Sequence, residues 1–473
     1  MTQRDYTQRR IQYWEEFAGA FERWEAARAG YQSRLASLYG FLIPPGRRVL
    51  EVGCGQGDLL AACRPRTGVG IDFSPAMVQR ARRRHPHLEF HVADAHGFDL
   101  QDKFDYVICS DLVNDLWDAQ GVFECIRRHA GPSTRLILNT YSRMWELPRR
   151  LAETVGLARP QLPQNWFTVE DLANVLALAG FEVVRTSQEI LWPVRTPLVA
   201  PLCNRYLVKL WPWRVFGLTN MLVARPQPAP PSRPAARVSV VVAARNEAGN
   251  IAEIFERLPA MGAGTELIFV EGHSTDDTWQ TIEREMARHP GVPARLFKQT
   301  GKGKGDAVRK GFAEAEGDLL VILDADLSVA PEDLPRFYEA WHSGKADFVN
   351  GVRLVYPMEE RAMRFLNQVG NKFFSLAFSW LLGQSIKDTL CGSKAISRED
   401  YTVIAANRAY FGEFDPFGDF DLLFGASKYN LKILDLPIRY RERRYGITQI
   451  QRWRHGLLLL RMTLYALGRI KFV

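Results

Sequence analysis

Short apolar runs, each followed by a loop and a helical pattern, recur along both halves of the chain. A run that is apolar at nearly every position is typical of a strand buried on both faces of a parallel sheet. Residues 11–42 carry aromatic and acidic residues at helical spacing and predict one or two helices ahead of the first strand. This alternation predicts an α/β fold in each half. The runs lie at 49–52, 68–72, 88–94 and 104–110, and again at 238–244, 265–271, 319–324 and 346–353.

A proline-rich stretch separates the two halves. Residues 226–236 contain five prolines and no aliphatic run. Such a composition favours an extended connector over packed structure. We therefore predict one domain over 1–225, a linker over 226–236 and a second domain over 237–473.

The composition is that of a folded protein. Of 473 residues, 47% are hydrophobic and 24% are charged, which excludes a disordered chain. The six cysteines form no CxxC pair, so neither a disulfide framework nor a structural zinc site is expected. We expect no secretory signal, because the first residues lack an apolar segment, and no simple transmembrane helix, because no window offers about 20 uninterrupted apolar residues.

The positive charge is concentrated near the end of the chain. The net charge is +8, and residues 437–473 hold eight arginines, one lysine and a single acid, Glu442. A basic segment beside an apolar run predicts an anionic partner, either a phosphate group or a membrane surface. Nucleic acid is not expected, because no nucleic-acid-binding motif accompanies the basic segment.

Three glycines follow the first apolar run. Glu51 ends that run, and Gly53, Gly55 and Gly57 form a loop that enters a helix. Glycines at the carboxyl end of a first parallel strand let the backbone approach a ligand closely. The loop alone is a weak signal, because several nucleotide-binding folds use glycine loops.

Acids end the next two strands, at Asp72 and Asp94. Together with Glu51 and the glycines, this order resembles the class I S-adenosylmethionine-dependent methyltransferases over residues 45–190. The resemblance implies that Glu51 and the glycines face the methionine part of S-adenosylmethionine, Asp72 the ribose and Asp94 the adenine. The alternative is a nicotinamide-binding fold, whose GxGxxG pattern would require a glycine at Asp58.

The methyl acceptor is less well defined. Methyl transfer needs in-line positioning and a deprotonated acceptor, and the chain has no NPPY-like signature of nucleic-acid methylation. A sugar or a lipid-linked glycan is the acceptor that the second half of the chain favours, and a non-catalytic tether is the alternative for the first half. The residues expected on the acceptor side are Asp111, Asn114, Asp115, Asn139 and Tyr141.

Residues 190–222 are rich in tryptophan, proline, leucine and arginine. Two interpretations remain open for this segment. It forms either an interfacial cap that touches a membrane or a helical lid that packs on the first sheet.

Two carboxylates follow an apolar strand of the second half, at Asp324 and Asp326. Side chains one residue apart at a strand end can hold Mg²⁺ or Mn²⁺, and the diphosphate of a nucleotide sugar completes the coordination shell. This DxD pattern on its own is common. A solvated turn is the weaker interpretation of this pattern, because the run 238–247 and the acidic loop at 274–278 lie upstream of it.

With these motifs, residues 237 to about 450 resemble family 2 glycosyltransferases of the GT-A fold. They are most similar to polyprenyl-phosphate hexosyltransferases such as dolichyl-phosphate mannose or glucose synthases. The resemblance implies a nucleotide-sugar donor of the GDP-mannose or UDP-glucose type and a polyprenyl phosphate acceptor. It assigns Asp324 and Asp326 to the metal and the diphosphate, with Ser328 close to the metal. The nucleotide-sugar residues that it implies are Ala243, Arg245, Glu247, Val270, Glu271, Lys304, Asp324, Ala325 and Asp326.

Two of these positions depart from the family pattern. Ala243 replaces a proline, and Glu271 with the following glycine replaces a pair of aspartates. Both changes leave the base of the donor open. Lys304 lies in a loop similar to that of the glucose synthases, where a lysine can contact a diphosphate; a solvated basic turn is the alternative.

Arginines are implied at the acceptor phosphate. Arg353, Arg364 and Arg443 occupy the places where the family presents arginines to this group, and a guanidinium binds phosphate through two hydrogen bonds. Gln449 stands where the related segment has a lysine, which removes one positive charge.

The acceptor decides whether a general base is needed. A lipid phosphate is already ionised at pH 7, whereas a sugar hydroxyl needs a group that takes its proton. Asp388, Asp419 and Asp421 are the acids available on the acceptor side, and Asp421 is the candidate base. A polysaccharide or glycolipid hydroxyl is therefore the alternative acceptor.

Two segments of the second half predict contact with a membrane surface. Residues 361–382 and 455–473 combine apolar residues at helical spacing with arginines and lysines. They are too charged to cross a bilayer comfortably, and lying in its interface is the favoured interpretation over burial in the core. We expect a bifunctional cytoplasmic enzyme, peripherally associated with the inner face of the membrane.

Overall fold

The computed structural model describes residues 2–155, 161–228, 233–353, 355, 365–410, 418–441, 445 and 452–473. For residues 17–28, 365–369, 419 and 452–455 it describes the backbone alone. The chain divides into two compact units, Met1–Gln227 with Phe472–Val473, and Pro228–Lys471. Each unit contains one seven-stranded sheet, which confirms the mixed α/β fold predicted for both halves.

The sheet of the first unit is parallel except at one strand. Its order is β3-β2-β1-β4-β5-β7-β6, and β7 runs antiparallel to both β5 and β6. Loops that follow β1, β2, β4 and β5 therefore meet at one edge, which we call the carboxyl edge. The strands are β1 (Arg48–Val52), β2 (Thr67–Asp72), β3 (Glu89–Val92), β4 (Phe104–Ser110), β5 (Ala130–Tyr141), β6 (Phe181–Glu189) and β7 (Thr219–Pro226).

Helices cover both faces of this sheet. A single 40-residue helix, α1, forms where one or two were predicted, and Thr2 caps it by accepting from the backbone of Asp5. The last turns of α1 pack Leu35, Tyr39 and Leu42 against one face. The helices are α1 (Gln3–Leu42), α2 (Asp58–Ala62), α3 (Pro75–Arg84), α4 (Ala119–Arg128), α5 (Glu146–Thr154), α6 (Val169–Leu178) and the short α7 (Val199–Pro201).

The segment 190–222 does not form a cap or a lid over its whole length. Its last residues belong to β7, which is buried at all eight positions and inserted between β5 and β6. The strand also extends to Pro226, one residue beyond the predicted domain boundary. Apolar residues from 219 onward are therefore sheet core, and only 190–218 lie outside the sheet.

The second unit also contains a mostly parallel sheet, but its antiparallel strand lies at a different position in the order. Its strand order is β10-β9-β8-β11-β13-β12-β14, and β13 alone runs antiparallel to its neighbours. The strands are β8 (Arg237–Ala244), β9 (Gly264–Glu271), β10 (Ala294–Lys298), β11 (Leu319–Asp324), β12 (Phe348–Val352), β13 (Lys394–Ser397) and β14 (Ile433–Pro437). The helices are α8 (Ile251–Arg257), α9 (Thr278–Arg288), α10 (Lys304–Glu314), α11 (Leu334–His342), α12 (Phe365–Leu382), α13 (Arg398–Ala406), α14 (Asp419–Lys428) and α15 (Arg452–Ala466).

Membrane-spanning helices were not expected. Within the described ranges, no helix is both long enough and apolar enough to cross a bilayer.

A buried charge cluster lies where β6 ends. The Glu189 carboxylate contacts the Lys209 ammonium and lies 3.6 Å from the guanidinium of Arg34. Burial lowers the pKa of Lys209 and of Arg34, and the Glu189 charge opposes that effect. Glu189 thus balances more than one buried cation.

Replacing Glu189 by glutamine is expected to destabilise the first unit by roughly 3–5 kcal/mol, because it leaves buried cations uncompensated. Hydrogen exchange of the β6 and β7 amides in the full chain, followed by mass spectrometry, measures this change. The control Glu146→Gln removes an ion pair with the exposed Arg150 and should cost less than about 0.5 kcal/mol. Equal exchange in the two variants would contradict the prediction.

Candidate functional site

The glycine loop of the first unit leaves open space at one position. Gly53, Gly55 and Gly57 all have positive φ, which favours glycine. A Cβ atom at Gly53 would lie 2.9 Å from Leu112, and one at Gly57 would lie 2.5 Å from Phe90. A Cβ at Gly55 would meet no atom within 4 Å. Gly55 therefore borders the space in which a cofactor fits.

Two acids, the buried Glu51 and the partly buried Asp72, hold this loop in place. Glu51 accepts a hydrogen bond of 3.0 Å from the backbone N–H of Leu60 in α2. Asp72 accepts hydrogen bonds of 2.9 Å from the N–H groups of Gly55 and Ser74. Burial raises the pKa of both acids. The loop and the ends of β1 and β2 thus form one hydrogen-bonded unit, whose glycines and acids fit the S-adenosylmethionine expected from the sequence.

Asp94 lies at the next strand end and is paired with a histidine. Its Oδ1 accepts from the backbone N–H of His96 at 3.0 Å and contacts the Nδ1 of that ring at 2.7 Å. The side-chain hydrogen bond lowers the pKa of Asp94. The N–H of Asp118 contacts the Nε2 on the other side of the ring at 3.2 Å, so the ring links Asp94 to the residue before α4. The carboxylate is half-exposed and remains accessible from solvent.

Asp111 lies at the centre of a polar network on the acceptor side. Tyr31 donates to its Oδ1 at 2.7 Å, and the Asn139 amide donates to the same oxygen at 2.6 Å. Tyr39 donates in turn to the Asn139 carbonyl oxygen at 2.7 Å. Asp111 has a φ of 53°, a backbone conformation that non-glycine residues adopt mainly at constrained sites.

The two tyrosines of this network are not among the residues predicted from the sequence. They lie in α1, 80 and 100 residues before their partners. Burial raises the pKa of Tyr31 and of Tyr39 far above the usual value. Both therefore act as neutral hydrogen-bond donors. A tyrosine pair at helical spacing resembles ordinary core packing, so no sequence signal marked these residues.

The other acceptor-side candidates divide by role. Tyr141 lies beside Tyr31, with ring centroids 6.1 Å apart, and belongs to the network. Asn114 is fully buried and accepts from the Thr140 hydroxyl at 2.7 Å. Asp115 lies 3.6 Å from the Arg10 guanidinium. Asn114 and Asp115 thus make contacts within the chain that hold the loop after β4 in place.

In the second unit, Asp324 ends β11 and contacts the Lys304 ammonium at the start of α10. Burial alone would raise the pKa of Asp324, but Lys304 and, more weakly, Arg353 hold it below the usual value. A Cβ at Gly392 would overlap with both the Asp324 carboxylate and the Lys304 ammonium. Glycine at 392 therefore keeps room beside the carboxylate.

The neighbouring residues complete a two-carboxylate site. Asp326 accepts a hydrogen bond of 3.0 Å from the N–H of Ser328. Ala325 and Ser328 are buried. Among the described residues, no group of three histidines, cysteines, aspartates or glutamates lies close enough to hold a metal. Asp324 and Asp326 fit Mg²⁺ or Mn²⁺ if oxygen atoms from outside the protein supply the other ligands.

The residues assigned to the nucleoside surround the ends of β8 and β9. Arg245 is exposed and Ala243 is partly buried. Glu247 is buried and accepts from the Asn250 amide at 2.7 Å, and Glu271 accepts from the backbone N–H of Ser274. Val270 is fully buried in the core. It can therefore offer a nucleoside only its main chain.

Arg353, assigned to the acceptor phosphate, is bound to an acid of its own chain. Its Nε and Nη2 donate to the two oxygens of Asp388 at 2.8 and 3.0 Å. Burial would raise the pKa of Asp388, but the pairing with Arg353 lowers it to about 2. The pair is permanently charged at physiological pH. Arg364 and Arg443, the other two assigned arginines, lie outside the described residues.

Asp421, the candidate base, lies between two arginines. Its Oδ2 is 3.4 Å from the Nε of Arg408 and 3.9 Å from the Nη1 of Arg309. The side chain is mostly buried. The carboxylate is thus already in contact with two cations of its own chain. The side chain of Asp419 lies outside the described residues.

Comparison with known proteins agrees with this geometry. Residues 239–404 match the family model "Glycosyl transferase family 2", and residues 23–186 match "Methyltransferase domain". The chain is therefore similar to a methyltransferase domain over residues 23–186 and to family 2 glycosyltransferases over residues 239–404. This confirms the resemblances drawn from the sequence.

Named relatives match the glycosyltransferase domain. A dolichol-phosphate mannosyltransferase of Pyrococcus furiosus is 29% identical over 222 residues, which is 46% of this chain and 59% of the relative. An undecaprenyl-phosphate 4-deoxy-4-formamido-L-arabinose transferase of Edwardsiella ictaluri is 28% identical over 236 residues, which is 49% of this chain and 66% of the relative. The chain thus spans about three fifths to two thirds of the length of these relatives.

A solved structure matches the methyltransferase domain. It is a methyltransferase of Thermotoga maritima, described as SAM-dependent, with 18% identity and a TM-score of 0.37. The match covers 45% of this chain and 98% of that structure.

Gly55→Ala is expected to weaken S-adenosylmethionine binding about tenfold or more, because the new methyl group enters the open space beside the loop and strains a positive φ. Isothermal titration calorimetry on the full chain measures the affinity. Gly97→Ala is the matched control, since a Cβ there also meets no atom within 4 Å and φ is not positive. An unchanged affinity for Gly55→Ala would show that the cofactor lies elsewhere.

Proposed function

We propose that the glycosyltransferase domain transfers a hexose from a nucleotide-diphosphate sugar to a polyprenyl phosphate at a membrane surface. The methyltransferase domain then uses S-adenosylmethionine to modify a glycan or lipid of the same pathway. The names of the relatives, which are a dolichol-phosphate and an undecaprenyl-phosphate transferase, support the acceptor class.

The state of the acids near the acceptor side carries this proposal. Asp388 is bound to Arg353 through two hydrogen bonds, and Asp421 lies between Arg309 and Arg408. Asp388, whose pKa this pairing lowers, is not suited to take a proton from a sugar hydroxyl, and Asp421 is already engaged with two arginines. An acceptor that is ionised before it binds needs no such base, and a phosphate monoester meets that condition.

The donor diphosphate is expected at Asp324 and Asp326. A bound divalent cation would supply charge neutralisation for the leaving diphosphate. Lys304, at the start of α10, is placed to exchange its contact with Asp324 for a phosphate oxygen. The small residue at Gly392 leaves the space that this exchange needs.

Arg353 serves the acceptor in this proposal. The Asp388 carboxylate holds its Nε and Nη2, so the guanidinium plane has a fixed orientation. Asp388 itself is oriented by the Asn371 amide, which donates at 3.0 Å. The remaining Nη1 of Arg353 would attract the acceptor phosphate. The positive charge of Arg353, which also acts on Asp324 on the donor side, would add to that attraction. Arg364 and Arg443 are proposed as further ligands of that phosphate.

Two helices support contact with a membrane surface. On α12, Phe373 and Leu376 are exposed, and on α15 Leu457 and Leu464 are exposed. In each helix these positions share one face. We propose that both faces lie in the interface of the membrane, on the cytoplasmic side, where nucleotide sugars are made.

Asp421→Asn is expected to keep sugar transfer to a short-chain polyprenyl phosphate within about threefold of the unchanged chain, because an ionised acceptor needs no base. Asp324→Asn, or removal of divalent cations with EDTA, should lower transfer at least about 100-fold. Radiolabelled lipid product measures both rates.

Thermal unfolding of the two variants checks that both remain folded. Abolished transfer in Asp421→Asn with donor binding intact would contradict the proposal and favour a hydroxyl acceptor. An absence of heat when S-adenosylmethionine is added to the unchanged chain would instead favour a methyltransferase domain that acts as a tether.

A further inference from the structure

An exposed apolar surface covers part of the first unit. Between β6 and β7, large hydrophobic side chains point to solvent over residues 192–216, and we call this segment together with α5 the tryptophan surface. Leu198 is 86% exposed and Trp211 is 78% exposed. Soluble proteins rarely expose many such residues side by side. Other exposed members are Leu202, Trp213, Val215 and Phe216.

Helix α5 extends this surface. The Trp145 indole, at the start of α5, donates to the backbone carbonyl of Phe216 at 2.9 Å, which joins the helix to the segment. Leu147, Leu151 and Val155 are 60% or more exposed, and their spacing of four residues places them on one helix face. The hydrogen bond thus joins α5, with its exposed apolar side chains, to the segment.

All charged residues of the segment between β6 and β7 are basic. Residues 190–218 contain Arg195, Arg205, Lys209 and Arg214 and not a single aspartate or glutamate. Lys209 is buried against Glu189, whereas Arg195 and Arg214 are exposed. Tryptophans beside leucines and arginines are typical of segments that lie in a membrane interface, where indoles and guanidinium groups remain near the headgroups.

The tryptophan surface begins at the carboxyl edge of the sheet. Glu189, the last residue of β6, pairs with Thr219, the first residue of β7. Thr219 also pairs with Tyr141 at the end of β5. The segment between β6 and β7 therefore leaves and enters the sheet at the edge that carries the glycine loop and Asp111.

We propose that the tryptophan surface docks the methyltransferase domain on a bilayer that contains anionic lipids. The apolar side chains enter the interface, and Arg195 and Arg214 contact the phosphates of the headgroups. The occupant is a lipid surface, because the charge complements anionic headgroups. Docking at the carboxyl edge also brings a membrane-held methyl acceptor to Asp111, a consequence that rests on the proposed function.

A fluorescent probe at Leu198 tests the docking directly. Leu198→Cys is labelled with an environment-sensitive dye in the full chain, with Cys203→Ser removing the one described cysteine that is not buried. Leu178→Cys is the matched control, because Leu178 is also exposed but precedes β6 at the opposite edge of the sheet. Vesicles are phosphatidylcholine alone or with about one third phosphatidylglycerol.

We expect emission at position 198 to rise about threefold with the anionic vesicles and to be quenched by lipids that carry a spin label, with no change at position 178. Arg195→Glu combined with Arg214→Glu should remove most of that rise, since the headgroups then face acids. The proposal would be overturned if the chain floats with vesicles but the emission of the dye at position 198 does not change, because α12 and α15 would then provide the binding.

A rise at 198 without vesicles that grows with protein concentration would also overturn it, in favour of a contact between two copies of the chain. Sugar transfer is measured in the same preparations. Transfer to a short-chain acceptor does not need the tryptophan surface. Normal sugar transfer with no change in emission at position 198 would therefore mean that the docking fails while the proposed function stands.

Discussion

Parallel strand pairing determines where each site in this chain lies. In the first unit, β1, β2, β4 and β5 all end at one edge, and in the second unit β8, β9 and β11 do the same. Hydrogen-bonded strands of this kind are buried on both faces, so polar side chains cluster in the loops at their ends. Glycines, acids and lysines separated by tens of residues therefore meet at one edge in each unit.

Residues next to these strand ends were the ones that sequence could predict. The glycine loop, Asp72, Asp324 and Asp326 lie at the ends of buried runs, so each run identifies the strand and puts these residues at its end; their roles stay predictions. The strand β7 was missed, because the tryptophans and prolines of 190–218 lead into it without a break in composition. An antiparallel strand inserted between β5 and β6 is set by tertiary pairing, which local pattern does not contain.

Ion pairing was the feature that sequence could not assign. Asp388 is bound to Arg353, 35 residues away, and Asp421 faces arginines that come from two other helical segments. The sequence does not distinguish an aspartate that is held in an ion pair from one that is available as a base, although the proton affinities of the two differ. In the proposed function, this pairing is the reason to expect an acceptor that arrives ionised.

Identifying the bond that the glycosyltransferase domain forms tests the proposed function most directly. The purified chain is incubated with Mg²⁺, a panel of nucleotide sugars, and an equimolar mixture of a short-chain polyprenyl phosphate and the matching polyprenol. Mass spectrometry then identifies the lipid product. We expect a polyprenyl-phosphate hexose from one donor and no glycosylated polyprenol. Hexose on the alcohol, or on an added glycan hydroxyl with the lipid phosphate untouched, would contradict it.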